Sequence, residues 1–231
     1  YALLVAGGSK QSKTLAVGGK MAVNIKPFEG LKITGVFAPQ FYRDKQKTFA
    51  KSIPYTYWND PNTTVGYIMG ATKTTLTESR PDNMSTTTQL FVNYTKSFKE
   101  HNFNVMAGYE NYYYYDESMS GSRDNYLLQS FPYLDIGNAN YQYATGSAYQ
   151  NAYRSWFGRI MYNWKSRYYL QANARYDGSS RFAKDFRWGF FPSFSAGWVI
   201  SEESFMKDKL LWLSSLKLRG SWGQLGNERI G

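Results

Sequence analysis

Few residues of this chain are suited to covalent chemistry, and their spacing does not support it. His101 is the only histidine among 231 residues, and it lies in a predicted turn, where we expect a solvated side chain. Asp116 and Glu117 are sequence neighbours, as are Glu202 and Glu203; strand neighbours point to opposite faces, which does not suit paired acid–base catalysis. Cysteine and the His-Glu-x-x-His, Gly-x-Ser-x-Gly and glycine-rich phosphate motifs are absent. We predict no enzyme activity, metal or cofactor, and a structural turn at Glu202 and Glu203.

Aromatic side chains have a clearer chemical use, because their rings stack on sugar rings and phenol groups form hydrogen bonds with hydroxyls. One run follows a predicted strand and leads into a predicted long loop, and a second cluster lies within another predicted loop. The candidate substrate-binding residues are Tyr112, Tyr113, Tyr114, Tyr115, Tyr55, Tyr57 and Trp58. The alternative, which we favour for the tyrosine run, is an aromatic girdle with loops packed on one another.

The elements that must position these residues are strands with two different faces. In the segment 167–177, every second residue is apolar or aromatic, and the residues between them carry charges and amides. Successive strand side chains point to opposite faces, so one face suits hydrocarbon and the other suits water. The apolar face comprises Tyr168, Leu170, Ala172, Ala174 and Tyr176, and the polar face comprises Arg167, Tyr169, Gln171, Asn173, Arg175 and Asp177.

The same alternation with a period of two recurs in other windows, which makes chance a poor explanation. These windows are 20–26, 31–37, 102–110, 153–164 and 216–223. A soluble β-sandwich also alternates and remains the alternative. It gives no reason for tryptophans at strand ends, whereas Trp156 and Trp164 lie on one face at a separation that fits the two aromatic girdles of a membrane barrel.

About eight spans are predicted, and their connections differ between the two ends. The spans are 15–26, 31–42, 84–98, 102–116, 152–164, 167–178, 188–199 and 215–225. The connections at one end are tight, at 27–30, 99–101 and 165–167, and those at the other end are long, at 43–69 and 119–151. This layout predicts an all-β, antiparallel transmembrane β-barrel with short periplasmic turns and long extracellular loops. Small residues at the polar positions favour part of a wide barrel.

The composition is compatible with this prediction. The chain has 27 Lys and Arg against 17 Asp and Glu, a net charge of +10. These cations are scattered over many strands and turns, so we predict no nucleic-acid partner. Cations on a lumenal face, or near anionic lipid of the outer leaflet, explain the excess as well. No apolar run approaches the ~20 residues of a transmembrane helix.

Six sequence blocks, in matching order and spacing, resemble one known family. The blocks begin at Arg154, Arg167, Arg175, Phe191, Ser201 and Leu216, and they read RSWFGRIMYNW, RYYL, RYDGSSRF, FPSFSAGW, SEESFM and LKLR followed by Gly226 and Asn227. They resemble the barrel of SusC/RagA-type TonB-dependent transporters. A weaker resemblance extends through the first half, in KPFEGL from Lys26 and YTKSF from Tyr94.

The resemblance implies that residues 1–231 are a partial barrel domain, about eight consecutive strands of a larger 22-stranded barrel. The plug domain and the remaining strands would lie outside this chain. It further implies a multi-pass barrel in the outer membrane for active import of oligosaccharides or peptides, with a SusD-like surface lipoprotein, surrounding lipid and TonB as partners. A passive porin-like channel and a non-transport scaffold of a surface complex remain alternatives.

Overall fold

The computed structural model describes residues 6–206 and 214–228, and the regular structure of these residues is almost entirely β. The strands are β1 (Gly8–Gly18), β2 (Met21–Ile25), β3 (Leu31–Ala50), β4 (Pro54–Tyr57), β5 (Asp60–Tyr67), β6 (Thr75–Phe98), β7 (His101–Asp124), β8 (Gln142–Trp164), β9 (Tyr168–Ser179), β10 (Trp188–Val199) and β11 (Lys217–Gly223). Three-residue 3-10 helices occur at Ile68–Gly70, Leu134–Ile136, Lys184–Phe186 and Ile200–Glu202. No helix in the described ranges is long and apolar enough to cross a membrane.

Nine of these strands form one sheet whose strand order follows the chain, except that β2 pairs only with β3 and that β4 and β5 lie outside it. The order is β1-β3-β6-β7-β8-β9-β10-β11, with β2 also paired to β3. The sheet is antiparallel, and β4 and β5 form a separate two-stranded hairpin. The predicted fold class and the predicted number of consecutive spans are therefore confirmed.

The chain divides into two compact units. The first unit comprises residues 1–17, 40–84 and 115–150, and the second comprises 18–39, 85–114 and 151–231. The strands β3, β6, β7 and β8 contribute residues to both units.

In the second unit, strand register aligns the faces that the sequence predicted. One row across β8, β9, β10 and β11 contains Ile160, Ala172, Phe194 and Trp222. The next row, on the opposite face, contains Arg159, Asn173, Ser193 and Gly223. Large apolar residues of the first face are exposed, including Trp156, Ile160, Leu170, Tyr176, Phe190, Phe194, Leu218 and Trp222. The alternation is thus one continuous apolar face backed by a polar one.

The first unit contains a small buried cluster. Phe49, Leu76 and Tyr126 are buried together, and Leu134 packs against them. The rings of Phe49 and Tyr126 meet edge to face with centroids 5.3 Å apart. The cluster joins β3 and β6 to the segment that follows β7.

The predicted loop boundaries need correction. β3 continues to Ala50, β7 continues to Asp124, and β8 already begins at Gln142, so much of the predicted loops 43–69 and 119–151 is strand. In these stretches both faces carry polar residues, so the apolar period disappears although backbone pairing continues. Hydropathy therefore identifies the part of a strand with one apolar face and misses its polar extension.

The tight connections are confirmed. Two residues separate β6 from β7, and three separate β8 from β9. Lys99, Lys165 and Ser166 adopt left-handed backbone conformations there, with φ of 53°, 52° and 54°. Such φ values are uncommon for residues other than glycine and permit the sharp reversal of the chain.

Candidate functional site

The polar face of the second unit is the first candidate site, and Arg175 lies near its middle. The Arg175 guanidinium donates hydrogen bonds to both carboxylate oxygens of Asp177 at 3.2 Å and to Ser155 Oγ at 3.2 Å. Its Cζ also lies 5.1 Å from the centroid of the Phe157 ring. A guanidinium held by a carboxylate, a hydroxyl and an aromatic face is fixed in orientation, so Arg175 organises the surface around it.

Phe157 reaches this position because a glycine leaves room for it. A Cβ placed on Gly108 of β7 would lie 2.3 Å from the Phe157 ring, so only glycine fits beneath that ring. Phe157 also contacts Phe91 edge to face at 5.8 Å. Although Phe157 lies on the polar face, its ring is thus covered by neighbouring strands.

A concavity of about 700 Å³ with a mixed polar and apolar lining lies along this face, between the tight turns and the middle of the strands. Amides, hydroxyls and cations line it, and the Lys217 Nζ lies 4.0 Å from the centroid of the Tyr169 ring. The polar lining residues are Thr95, Ser97, Asn102, Asn104, Asn163, Tyr169, Gln171, Ser195, Lys217, Arg219 and Ser221. Such a lining hydrogen-bonds water and polar solutes, and no group of three or more metal-ligating residues occurs in the described ranges.

The RYDGSSRF block is a structural turn of the polar face. Ser180 N donates to Ala152 O at 2.9 Å, and Ala152 N donates to Ser180 Oγ at 2.8 Å. A Cβ on Gly178 would lie 2.7 Å from the Trp188 ring. The glycine and serines thus let the chain turn beneath a tryptophan, in agreement with the predicted strand-to-loop transition.

The predicted tyrosine run lies inside β7, nine residues before its end. This position agrees with the predicted span 102–116, whereas the loop predicted to start at residue 119 begins only after Asp124. The period of two places Tyr112 and Tyr114 on the polar face and Tyr113 and Tyr115 on the apolar one. The Tyr112 ring stacks on Tyr153 at 4.9 Å, and the Tyr115 hydroxyl donates to Glu117 Oε2 at 2.9 Å. The four side chains do not form one surface.

The second predicted cluster lies on the β4–β5 hairpin of the first unit. Tyr55 and Tyr57 are on β4, and Trp58 begins the two-residue connection to β5. Trp58 is 94% exposed and Tyr57 is 64% exposed. The Tyr55 ring covers Gly66, where an added Cβ would approach its hydroxyl to 2.6 Å. The hairpin therefore presents Tyr57 and Trp58 as an aromatic tip, with Tyr55 in a supporting position.

At the turn end of the second unit, Glu203 forms a cluster whose partners were not identified from sequence. Its carboxylate accepts hydrogen bonds from the Tyr168 hydroxyl, from Trp198 Nε1 at 3.0 Å and from Arg167 Nη1 at 3.3 Å. The hydrogen bond from Tyr168 is the main reason that the pKa of Glu203 lies below its ordinary value of 4.5. The partners lie 5 to 36 residues from Glu203. The only sequence feature that pointed to this position was the SEESFM block, which contains Glu203 itself.

His101 differs from the expected solvated turn residue. It is the first residue of β7, and its Nδ1 lies 2.7 Å from the Tyr162 hydroxyl oxygen. Its ring stacks parallel to Trp164, at an interplanar angle of 8°. Partial burial in an aromatic row indicates a structural role, and within residues 6–206 and 214–228 no carboxylate is hydrogen-bonded to the His101 ring.

Comparison with known proteins agrees with this geometry. The chain is 39% identical over 144 residues to the TonB-dependent receptor SusC of Bacteroides thetaiotaomicron, and 40% identical over 146 residues to the TonB-dependent receptor P39 of Formosa agariphila. These matches cover 62% and 61% of the chain. The chain is homologous to part of the SusC-type TonB-dependent receptors. It spans 14% of the length of either receptor, and no model of a protein family matches it.

Solved structures show the same fold over nearly the whole chain. The structure of the RagAB peptide transporter superimposes with a TM-score of 0.84 at 21% identity, over 99% of this chain and 24% of the transporter chain. The RagAB peptide importer in its "open-open" state gives a TM-score of 0.85 over the same share. The fold of this chain therefore matches about a quarter of the larger β fold of that transporter chain.

Proposed function

We propose that this chain is a section of the barrel of an outer-membrane active importer for oligosaccharides or peptides. The observation that carries the proposal is the apolar face of β8, β9, β10 and β11, which is exposed and continuous and is backed by a polar face. Exposed apolar rows of this extent suit a lipid environment. Homology to TonB-dependent receptors supports active uptake as the function.

The polar face supports a solute path. Arg175, Gln171, Asn173 and their neighbours form a hydrated surface fixed by hydrogen bonds. Our proposal assigns this face to the lumen, where it lines the route of the solute. In this role the barrel performs no covalent chemistry.

The partners follow from the family. We assign to the full-length protein a SusD-like surface lipoprotein that covers the extracellular opening, and energy supply through TonB. Contacts with TonB belong to parts of the full-length protein outside this chain. Similarity to TonB-dependent receptors and to a RagAB peptide importer supports this assignment.

For substrate contact we propose the aromatic tip of the hairpin, Tyr57 and Trp58, supported by Tyr55. Exposed rings at a hairpin end can stack on a sugar or a peptide side chain. Among the tyrosines of β7, Tyr112 and Tyr114 are the candidates on the lumenal face. Tyr113 and Tyr115 are then girdle residues at the lipid side.

Uptake by cells that express the full-length protein tests the proposed function. Radiolabelled oligosaccharide and peptide mixtures are offered with and without a protonophore that collapses the inner-membrane proton gradient. We expect accumulation of one of the two classes and its loss on addition of the protonophore. Entry that is insensitive to the protonophore would indicate a passive channel, and no entry of either mixture would indicate a scaffold.

The contribution of the aromatic tip is tested by Trp58→Ala in the same cells. Loss of one stacking interaction predicts a roughly 2- to 12-fold weaker apparent affinity for the accumulated substrate. Leu127→Ala is the matched control, because Leu127 is an equally exposed apolar residue of the first unit outside the hairpin. Equal uptake by both variants would mean that the aromatic tip does not contact the substrate.

A further inference from the structure

One face of the first unit changes from apolar to cationic along three neighbouring strands. On β1 the residues of this face are Val17, Leu15 and Lys13, and Val17 is 57% exposed. β3 and β6 lie beside β1 in the sheet. Their register decides which of their side chains lie level with Lys13.

The register between β1 and β3 is fixed at both ends of β1. Gly19 N donates to Pro39 O at 3.1 Å, and Lys51 N donates to Gly7 O at 3.1 Å. In an antiparallel pair the numbers of opposite residues have a constant sum, and the two hydrogen bonds give the same sum. That sum places Lys13 opposite Lys45. The hydroxyls of Ser12 and Thr14, on the other face, both reach Asp44 Oδ1, as this register requires.

The register between β3 and β6 follows from a backbone hydrogen bond, in which Thr95 N donates to Gly30 O at 2.8 Å, and two ion pairs keep the same register. Arg43 Nε lies 3.1 Å from Asp82 Oδ2, and Lys47 Nζ lies 3.3 Å from Glu78 Oε1. The two ion pairs fit the same strand register. The residues midway between them on the two strands are Lys45 and Arg80, which therefore lie opposite each other. Lys13, Lys45 and Arg80 therefore form one row across three strands, which we name the cation row.

The cation row is unfavourable by itself, because like charges directly opposite each other destabilise a sheet. The two nearest carboxylates are already engaged. Asp82 pairs with Arg43, and Glu78 pairs with Lys47 while reaching Arg80 only at 3.8 Å. Neither Lys13 nor Lys45 has an ion-pair partner among residues 6–206 and 214–228. An anion from outside this part of the chain would relieve the repulsion.

The position of the row indicates the kind of anion. The same register places Val17, Phe41 and Met84 in an apolar row, two rows nearer to the tight turn at 27–30. Met84 is 41% exposed, and Lys45 and Arg80 are exposed as well. Apolar side chains followed by cations on one face match the passage from acyl chains to charged headgroups. Because the row lies at the strand ends remote from the tight turn, that bilayer surface is the extracellular one.

We propose that the cation row binds the phosphate groups of an outer-leaflet lipid. The proposal rests on the outer-membrane location in the proposed function and adds a lipid site on the outer wall of the barrel. Three cations at adjacent strand spacings of about 4.8 Å span a headgroup with more than one phosphate. The neighbouring pairs Arg43–Asp82 and Lys47–Glu78 hold the surrounding side chains in place.

The test uses the full-length protein in neutral detergent and fluorescently labelled lipopolysaccharide as the probe. Lys13→Gln combined with Lys45→Gln removes two cations of the row. We expect about 25-fold weaker binding at low salt, since each of the two lysines near an anionic lipid surface contributes about fivefold. Phosphatase-treated lipopolysaccharide should bind the native protein with a similar loss.

The matched control is Lys10→Gln combined with Lys32→Gln, which removes the same charge from the opposite face of β1 and β3. We expect binding within twofold of the native protein. Lipid-free thermal unfolding checks folding, and the row variant should be at least as stable as the native protein because a repulsion is removed. A less stable row variant would contradict the repulsion argument.

Other outcomes would overturn the proposal. Equal binding by the row variant and the control variant would do so, as would equal binding of phosphatase-treated lipid. Loss of a co-purifying acidic protein without loss of lipid would assign the row to a protein partner instead. Cell fractionation separates the two hypotheses, because a protein absent from the outer membrane contradicts the proposed function, whereas an outer-membrane protein without the lipid preference contradicts only this inference.

Discussion

At the scale of single residues, this chain uses polar side chains to set orientation. Arg175 is fixed by Asp177 and Ser155 on its own face. Glu203 gathers three donors at the turn end. In both cases one charged group is satisfied by several donors or acceptors, which keeps a partly buried charge stable.

The face assignment is tested by two adjacent substitutions in β9. Ala172→Arg places a charge on the apolar face, and we expect destabilisation of the assembled full-length protein by about 2–4 kcal/mol near the bilayer midplane. Asn173→Arg, on the polar face, should be tolerated. Unfolding in lipid vesicles followed by tryptophan fluorescence measures both. If the two variants are equally stable, the membrane assignment of the apolar face is wrong.

The Glu203 cluster predicts a pH dependence. The pKa of Glu203 is lowered in the folded protein, chiefly by the Tyr168 hydrogen bond and then by Trp198. Its contribution to stability is therefore complete above the ordinary pKa of 4.5 and is lost as the pH falls through the lowered folded value. Glu203→Gln should lower the unfolding temperature near neutral pH. The difference in unfolding temperature from the native protein should shrink as the pH falls below 4.5 and through the lowered pKa of the folded protein.

A control separates the charge of Glu203 from its shape. Tyr168→Phe removes the largest cause of the lowered pKa and leaves the Glu203 carboxylate in place. We expect the pH-dependent part of the destabilisation caused by Glu203→Gln to be smaller in the Tyr168→Phe protein than in the native protein. A pH-independent effect of Glu203→Gln would mean that only packing is involved.

At the scale of elements, close approach of rings to glycines decides how strands and turns fit. Phe157 lies over Gly108 of β7, and Trp188 lies over Gly178 at the end of β9. The Trp188 ring also stacks on Tyr176 at 4.8 Å. A turn sequence that reads as flexible is therefore closely packed where it meets the next strand.

Gly178→Ala tests this packing. Its Cβ would lie 2.7 to 2.8 Å from Trp188 ring atoms, so the ring must move, and we expect a destabilisation of about 1–3 kcal/mol. Gly220→Ala is the matched control, because an added Cβ there has no neighbour within 4 Å. Urea unfolding in detergent of the full-length protein gives both values. Equal stability of the two variants would mean that Trp188 has room to shift.

At the scale of the whole molecule, the proposed barrel must close on both edges of the two-faced sheet. The described sheet has a strand at each end of its order, β1 and β11, and strand edges in lipid must be paired. The chain covers 24% of the RagAB transporter chain on which it superimposes. The remaining strands of the full-length protein are therefore expected to pair with β1 and β11.

The native protein is predicted to be much larger than this chain and to require detergent. The 144 residues aligned with SusC are 14% of that receptor, and 231 residues weigh 26.6 kDa, so we expect a polypeptide on the order of 100 kDa. Intact mass and peptide coverage of protein from solubilised membranes measure this, together with any lipoprotein that co-purifies. A species of this chain's own length that stays in solution without detergent would contradict the barrel assignment.

Much of the fold was predictable because strand alternation is a local property. Residues 167–177 show by themselves which side chains share a face, and the register with β8 and β10 confirms it. The candidate site was predicted less well. The loop after the tyrosine run was predicted to start at residue 119, but β7 continues to Asp124, because a strand with two polar faces gives no hydropathy signal beyond its apolar part.

The sequence by itself determined the fold class, the two faces, the tight turns and the approximate number of spans, since each depends on residues within a dozen positions of one another. Tertiary structure alone decided the strand extensions, the independent β4–β5 hairpin, the partners of Glu203 and the alignment of Lys13, Lys45 and Arg80. These features depend on register between strands that are distant in sequence. Register is set by the sum of many backbone pairings, so no single segment of the sequence contains it.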